Sequence, residues 1–476
     1  MQGDEPKSSE YFIRGGTGMN MNKSSSDLTK GNVAKQLLMF ALPILMGQIF
    51  QNLYNSVDAI VVGRSVGKTA LAAVSASTDI THLIVGFFTG LSTGAGILFA
   101  RAFGAKDYKK LHDAIHTSVT FSVILGVVMA AVGVLITPLL LKVVACPDDV
   151  FQEADAYLRI YFIGILFTSI YNIGAGVLRS VGDSRNPFIY LVIASVVNII
   201  MDILLVVVIP MGVQGAAIAT IVSQFLSVVL VFRRLLKTDD VYRLFLKDMH
   251  IDKKLLLEIL DLGIPAAIQA SLISISNMFV SRYINSFGSD AMAGIGAAKK
   301  IDKFVGMVAQ AIGQAIATFV GQNFGAKRLD RAFKSIRVAI VFNFGYILLV
   351  GSVIYTNAET FVRIFTTDES AILFGIDMIH TMMPLYVMQS LNQIFANVVR
   401  GFGKSRVVML CSIFGMIVCR QIFLAISMHI DWNVRNIYYG YPVGWTCAAL
   451  FVFLYYYFTI HRKYWKQAKE DRLQNS

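Results

Sequence analysis

The sequence predicts an all-α polytopic membrane protein in which twelve transmembrane helices form two parallel six-helix repeats. Of its 476 residues, 55% are hydrophobic and 15% are charged, whereas an ordinary soluble domain carries about 25% charged residues. Apolar runs of roughly 20 residues, the length of a membrane-spanning helix, recur along the whole chain. Loop motifs also return in the second half of the chain at a constant shift in numbering. Together these observations exclude a chain of soluble domains.

Twelve apolar runs, separated by basic or turn-forming stretches, define the predicted helices 1 to 12. In order, the runs cover residues 37–62, 70–100, 112–141, 157–178, 187–209, 213–232, 259–284, 291–321, 336–356, 374–399, 407–430 and 438–460. Backbone polar groups in lipid must be satisfied internally, so segments of this kind are helical. The fifth and sixth runs follow each other closely, and Pro210 and Gly212 supply the turn between them.

Polar segments flank and join the two sets of six runs. Residues 1–30 contain three consecutive serines and several glycines, form neither a signal peptide nor a span, and are predicted to be a disordered cytoplasmic tail. An amino-terminal lobe, a cytoplasmic linker, a carboxyl-terminal lobe and a second cytoplasmic tail follow, at residues 31–235, 236–254, 255–463 and 464–476.

Loop charges predict the orientation of the chain. The loops after helices 2, 4, 6, 8 and 10 carry 21 Lys and Arg residues, whereas the odd-numbered loops carry 7. Basic loops stay in the cytoplasm, so we expect a multi-pass protein of the cytoplasmic membrane with both termini cytoplasmic. This topology also accounts for the net charge of +12. Since no nucleic-acid-binding module accompanies the charge, no nucleic-acid partner is expected.

The two halves of the chain repeat each other. Phe103–Lys106 returns as Phe324–Lys327, and the arginines, glycine and serine of Arg179–Arg185 return in Arg400–Arg406, so both motifs recur at one and the same shift in numbering. Six is an even number of spans, so both halves enter the membrane from the same side and the repeats are parallel. Secondary transporters with such repeats bind substrate near the repeat interface. A duplication without moving parts is the alternative.

Two carboxylates lie inside predicted spans. Asp58 is the only charge between Lys35 and Arg64, and Asp202 lies past the middle of helix 5, one turn after Asn198. Ionisable groups in the hydrocarbon are costly and usually functional. Two carboxylates in a poorly hydrated pocket cannot both stay ionised cheaply, which favours uptake of a proton or another cation. The alternative is that both aspartates only bond to neighbouring helices.

Further charges occupy helices 8 and 11 of the second half. Helix 8 carries Lys299, Lys300, Asp302 and Lys303, and helix 11 carries Arg420 near its middle. These residues are candidates for lining a polar cavity. Alternatively, the lysines extend to the membrane interface, and Arg420 bonds to backbone carbonyls.

No enzyme and no cofactor are expected. Gly90–Gly94 matches the GxSxG pattern of hydrolases, but it lies inside a predicted helix, and a nucleophile elbow requires a strand, a turn and a helix. Gly86, Gly90 and Gly94 instead recur every four residues, which favours close helix packing. The four cysteines are scattered without the spacing of a metal site or a disulfide framework.

Several of these features together resemble one transporter family. Helix 1 reads ALPILMGQIFQNLYNSVDAIVVG from Ala41 to Gly63, ARAFGAKD is echoed by GQNFGAKR, and RSVGDSRNP is echoed by RGFGKSR. With twelve predicted spans in two lobes, this set resembles the multidrug and toxic compound extrusion (MATE) family over roughly residues 27 to 463. The resemblance implies MATE-like lobes and export of organic, often cationic or amphipathic, compounds in exchange for H⁺ or Na⁺.

The resemblance also implies roles for particular residues. In the DinF-like branch of the family, a cation site is formed by an aspartate in helix 1, an Asn-x-x-x-Asp pair in helix 5 and a threonine in helix 6. Asp58, Asn198, Asp202 and Thr220 match these positions, so they are the residues expected to hold H⁺ or Na⁺. Pro43 is expected to let helix 1 bend.

The expected partners are small organic substrates and membrane lipid, and the chain is expected to act as a monomer. A lipid-linked precursor flippase of the same superfamily is the alternative function. The three lysines of helix 8 leave room for the cationic central cavity that such a flippase would have.

Overall fold

The computed structural model describes residues 27–144 and 146–474, and every regular element in this part of the chain is a helix. Twelve of these helices are long and apolar enough to cross a membrane, which confirms the predicted number. The amino-terminal six are α1 Val33–Ser65, α2 Lys68–Gly104, α3 Tyr108–Val143, α4 Asp148–Ser180, α5 Arg185–Asp202 and α6 Gly212–Lys237. A π-helical segment, Ile203–Val208, continues α5.

The carboxyl-terminal six helices include three that change geometry along their length. The set is α7 Lys253–Asn285, α8 Ser289–Gly325, α9 Leu329–Thr356, α10 Glu369–Met382 with Tyr386–Gly401, α11 Ser405–Ser412 with Arg420–Ile430, and α12 Val434–Tyr455 with Arg462–Gln474. A 3₁₀ turn joins the parts of α10 at Pro384, and π-helical segments, Ile413–Cys419 and Tyr456–His461, join the parts of α11 and α12. Outside these spans lie a short helix, Ala358–Arg363, and a 3₁₀ turn, Leu246–Asp248.

The helices extend beyond many of the predicted runs because polar turns at their ends are also helical. For example, α3 starts at Tyr108, where the Asp107 side chain accepts a 3.0 Å hydrogen bond from the Lys110 backbone N–H. The segment predicted as a cytoplasmic tail, residues 464–476, is helical as far as Gln474, where α12 ends. There Tyr464 stacks on Phe402 with ring centroids 6.0 Å apart.

The predicted amino-terminal tail needs a correction at its end. Residues 1–26 of that tail lie outside the described part of the chain, but residues 27–30 are ordered. The Leu28 side chain is 1% exposed, and its backbone N–H donates to the Gln322 side chain at 3.1 Å. Its carbonyl oxygen accepts hydrogen bonds from Asn323 and Arg331. These polar residues of the carboxyl-terminal lobe satisfy a backbone segment whose composition alone suggested disorder.

The structure repeats its turns at the same shift as its sequence. Positive φ angles occur at Gly67 and Gly288, at Gly182 and Gly403, and at Lys106 (57°) and Lys327 (58°). The two members of each pair are separated by the same shift that relates the loop motifs. Because residues with a side chain rarely adopt a left-handed backbone conformation, the shared angles at the two lysines show that the two lobes have the same loop conformation.

The two lobes pack closely at one end of the bundle. We call this the basic end; it carries the loops Arg101–Lys110 and Lys327–Arg337. A Cβ atom on Gly94 would overlap the backbone of Gly263 in α7, and a Cβ atom on Gly104 would overlap the backbone of Gln322 in α8. The predicted small-residue face of α2 is therefore a contact between lobes.

Candidate functional site

A pair of aspartates lies in the amino-terminal lobe, where α1 packs against α5. Asp58 is half-buried on α1, and Asp202, the last α-helical residue of α5, is fully buried. The charge of Asp58 acts on Asp202, although the two belong to different helices. Asn198 is also fully buried, one turn before Asp202. The structure thus brings together three of the four residues expected to form the cation site.

Most polar atoms of this cluster have no hydrogen-bond partner among the described residues. They are both carboxylate oxygens of Asp202, both amide atoms of Asn198 and the Oδ1 atom of Asp58. A buried polar group without a partner costs roughly 1–3 kcal/mol, and such groups are rare in native proteins. Four of the five atoms are oxygens, which can accept hydrogen bonds or coordinate a cation, whereas the Asn198 Nδ2 atom is a donor.

The backbone changes geometry next to this site. The π-helical segment Ile203–Val208 begins directly after Asp202, and π-helical turns within α-helices frequently occur at functional sites. The sequence does not predict this segment, because its run of isoleucine, leucine and valine is equally suited to an ordinary apolar helix.

Thr220 is the fourth predicted residue, and it lies on α6. This helix packs closely on the π-helical segment, where Gly215 meets the backbone of Leu205. The Thr220 hydroxyl donates a 3.1 Å hydrogen bond to the Ala216 carbonyl oxygen of its own helix and makes no hydrogen bond to Asp58 or Asp202. The hydroxyl oxygen keeps lone pairs that can face a cation.

Three tyrosines that the sequence analysis missed belong to the same region. Tyr54 and Tyr157 both lie close enough to Asp58 and Asp202 to interact electrostatically with the two aspartates. Tyr161 lies one turn after Tyr157 on α4, and the two rings stack with centroids 6.2 Å apart. Tyr54 could have been predicted to lie near the aspartates, because it precedes Asp58 by one helical turn. Nothing in the sequence connected α4 with α1.

Helix α1 contacts both lobes. Its first turns pack in a core cluster of the carboxyl-terminal lobe, in which Leu37 and Phe40 join Phe319 of α8, whereas its second half carries Asp58. Pro43 lies between these parts. Since proline has no backbone N–H, it removes one helical hydrogen bond from α1 at this point.

The predicted cavity residues of the carboxyl-terminal lobe fall into separate environments. Arg420 is buried and donates a 2.9 Å hydrogen bond to the Asn277 side chain, and both Arg420 and Lys299 lie near the ring of Tyr441.

Lys300 instead lies over Phe365, at the end of the bundle opposite the basic end. Asp302 faces the methionines of α10, and its Oδ1 atom has no partner. Lys303 is exposed.

A histidine cluster at the basic end was not predicted. His112 and His116 of α3 meet Asp248 of the linker, with ligand atoms within 4.8 Å of one another. The His116 Nδ1 atom lies 2.7 Å from the His112 carbonyl oxygen, and its Nε2 atom accepts a 3.0 Å hydrogen bond from the Phe245 backbone N–H. Both ring nitrogens of His116 are therefore occupied, and the cluster holds the linker against α3.

Comparison with known proteins gives one family. The MatE family model matches residues 43–204 and again residues 265–426. The chain is 29% identical over 460 residues to "Probable multidrug resistance protein YoeA" of Bacillus subtilis strain 168, in an alignment that covers 94% of this chain and 97% of that protein.

Solved transporter structures share the fold. "Crystal structure of MATE in the bent conformation" matches with a TM-score of 0.88 and 24% identity, covering 94% of this chain and 100% of that one. "Outward-facing conformation of a multidrug resistance MATE family transporter of the MOP superfamily" matches with a TM-score of 0.86 and 24% identity, covering 92% and 98%.

Proposed function

Because this chain belongs to the MatE family, whose members are transporters and not enzymes, we propose that it is an antiporter that exports organic compounds in exchange for H⁺ or Na⁺. The observation that carries the proposal is the cluster of Asp58, Asn198 and Asp202, in which five buried polar atoms have no partner. The multidrug-resistance name of the Bacillus relative supports organic drugs as the exported compounds.

The donor set of this site fits a small hard cation. Carboxylate, amide and hydroxyl oxygens are the ligands that such cations prefer, and Asp58, Asp202, Asn198 and Thr220 offer them. A proton would serve the same purpose by neutralising one carboxylate of the pair. In either case, binding removes repulsion between two acids inside a membrane-spanning lobe.

Coupling requires that the cation bind the two states of the transporter with different affinity, because a ligand with equal affinity for both shifts nothing. Helix α1 is suited to transmit this difference, since its first turns pack on the carboxyl-terminal lobe and its second half holds Asp58. A change in its bend near Pro43 would move Asp58 relative to Asp202. We therefore assign Pro43 the role of a flexible point between the cation site and the contact that closes the basic end.

The loop charges support a cytoplasmic location of the basic end and of both termini in the cytoplasmic membrane. One chain carries both lobes and the whole candidate site, so the proposed unit of transport is the monomer, surrounded by membrane lipid.

The test is efflux of a fluorescent organic dye from proteoliposomes in which an H⁺ or a Na⁺ gradient is imposed separately. We expect efflux by the wild-type protein to need one of the two gradients and to fall at least about tenfold in Asp58→Asn and Asp202→Asn, since each loses a charge that holds the cation. Asp290→Asn, an exposed acid at the start of α8, is the matched control and should keep wild-type efflux. Wild-type efflux in both site variants would refute the proposal.

A further inference from the structure

Arg420 is a buried cation without an acidic partner. It lies on α11, directly after the π-helical segment Ile413–Cys419, and is 2% exposed. Its guanidinium donates to the Asn277 Oδ1 atom at 2.9 Å and to the Ser276 hydroxyl, both on α7, while its Nε atom has no partner among the described residues. Neither acceptor is charged.

Lys299 approaches the same place from α8. Its ammonium nitrogen lies 5.7 Å from the centre of the Tyr441 ring, and the Cζ atom of Arg420 lies 5.5 Å from the same centre. None of the ion pairs in the described chain includes either cation. The acid whose charge interacts with Lys299 is Asp302, which faces the methionines of α10.

Two cations on one ring in a membrane-spanning lobe repel each other, and charges there are costly unless they are paired. An aromatic ring offsets only part of this cost. A bound anion would pair with both. The guanidinium of Arg420 has the planar geometry that fits carboxylate, sulfonate or phosphate oxygens, and its Nε–H is still available to donate.

The internal repeat shows which residues of the amino-terminal lobe correspond to this site. At the shift that carries Phe103 to Phe324, Arg420 corresponds to Ile199 and Tyr441 corresponds to Thr220. Ile199 directly follows Asn198, and both Asn198 and Thr220 belong to the candidate cation site of the amino-terminal lobe. Asp202 itself corresponds to Phe423, so the cationic cluster lies next to the region of the second lobe that is equivalent to the cation site of the first, and it carries the opposite charge.

We propose that the carboxyl-terminal lobe contains an anion site, in which Arg420 and Lys299 bind the carboxylate, sulfonate or phosphate group of an amphipathic substrate. Ser276 and Asn277 hold the guanidinium in position, and the partly buried ring of Tyr441 lies beside the apolar part of the substrate. The inference rests on the proposed antiporter function and narrows its substrates to organic compounds that carry an anionic group.

Two dyes with one ring scaffold and opposite charge test the site. Fluorescein is an anion, and tetramethylrhodamine methyl ester is a cation. Their binding to the purified full-length protein in detergent is measured by fluorescence anisotropy without any ion gradient. We expect the wild-type protein to bind fluorescein more tightly. Lys299→Gln and Arg420→Gln should each raise the Kd for fluorescein by about tenfold or more, the effect of losing one charge-assisted hydrogen bond, and leave the cationic dye unaffected.

Lys300→Gln is the matched control, because Lys300 lies next to Lys299 in the chain but over Phe365, and it should bind fluorescein normally. Arg420→Lys keeps the positive charge but replaces the planar guanidinium with an ammonium group. It replaces Arg420→Gln in the binding measurement if Arg420→Gln does not fold. Lys299 is only partly buried, and Lys299→Gln decides the question alone if neither Arg420 variant folds. Unchanged fluorescein binding in the folded variants, or equal loss of both dyes, overturns the anion site.

Failure of this inference is distinguishable from failure of the proposed function. Asp58→Asn, which lies in the other lobe, should lose coupled efflux but still bind fluorescein more tightly than the cationic dye. Wild-type protein that binds fluorescein but transports nothing under any gradient would overturn antiport only. Gradient-driven efflux without preference for the anion would overturn the anion site only.

Nanodiscs of phosphatidylcholine with and without phosphatidylglycerol identify the source of the anion. Competition by phosphatidylglycerol makes a lipid headgroup the ligand. If phosphatidylglycerol does not compete, the ligand is a free organic anion.

Discussion

Arg331 donates a 2.6 Å hydrogen bond to the backbone carbonyl oxygen of Gly31, 300 positions earlier in the chain. The same guanidinium also donates to the carbonyl oxygens of Leu28 and Lys30 and to the side chain of Gln36. Arg331 belongs to α9 of the carboxyl-terminal lobe, whereas its partners precede or begin α1. The start of the first helix is thus held by the second lobe.

Replacing Arg331 with glutamine should release this segment. Hydrogen bonds to charged groups contribute about 1.5–3 kcal/mol each, and the carbonyls left behind would be buried without partners. We expect trypsin to cleave after Lys30 and Lys35 several times faster in Arg331→Gln, and the melting temperature in detergent to fall. Arg328→Gln, which removes a partly exposed ion pair with Asp330, should change neither. Equal cleavage rates in the two variants would contradict the prediction.

Thr220 gives a test of the cation site that keeps its charges. Thr220→Val preserves the shape of the side chain but removes the oxygen, whereas Thr220→Ser keeps the oxygen. A neutral hydrogen bond or oxygen ligand contributes about 0.5–1.5 kcal/mol, so gradient-driven efflux should fall roughly two- to tenfold in the valine variant at limiting cation concentration. The serine variant should stay near wild type.

Thr356→Val serves as the control for this experiment, because the exposed Thr356 hydroxyl donates within the last turn of α9 and accepts a hydrogen bond from the adjacent Asn357 side chain. Identical cation dependence in Thr220→Val and wild type would remove Thr220 from the site.

Adding a single methyl group should loosen the basic end. A Cβ atom at Gly94 or Gly104 would overlap backbone of the opposite lobe, and backbone cannot move aside as a flexible side chain can. We expect Gly94→Ala and Gly104→Ala to speed amide hydrogen exchange in the loops of the basic end and to reduce efflux. Gly296→Ala has open space around it and should exchange as the wild type does. Wild-type exchange rates in the first two variants would show that this packing does not close the lobes.

The two lysines with positive φ predict a gain in stability. Left-handed backbone costs a residue with a Cβ atom roughly 1–2 kcal/mol, and glycine is free of this cost but loses more entropy on folding. Lys106→Gly and Lys327→Gly should therefore each raise the free energy of unfolding by up to about 1 kcal/mol, seen as a higher melting temperature. Lys109→Gly, in the first turn of α3, should lower it. A lower melting temperature in the first two variants would contradict the argument.

Much of the fold could be predicted because its signals are local. The length of each apolar run gives a span, and the repeated Phe-Gly-Ala-Lys loops give the duplication. Asp58 and Asp202 could be found because a charge inside an apolar run is conspicuous.

The features that were missed depend on distant partners or on unmarked backbone. The order of residues 27–30 depends on Arg331, and Tyr157 joins the aspartates only through the packing of α4. The π-helical segment after Asp202 has a composition that an ordinary helix would share.

The internal repeat has an evolutionary consequence. In a homodimer of six-helix proteins, both subunits come from one gene, so every substitution is present in both subunits. An arginine at the position of Arg420 would then always be accompanied by a second arginine at the position of Ile199, beside the paired aspartates. Fusion of the two copies into one chain removes this constraint, so that one half could keep its acids while the other acquired bases.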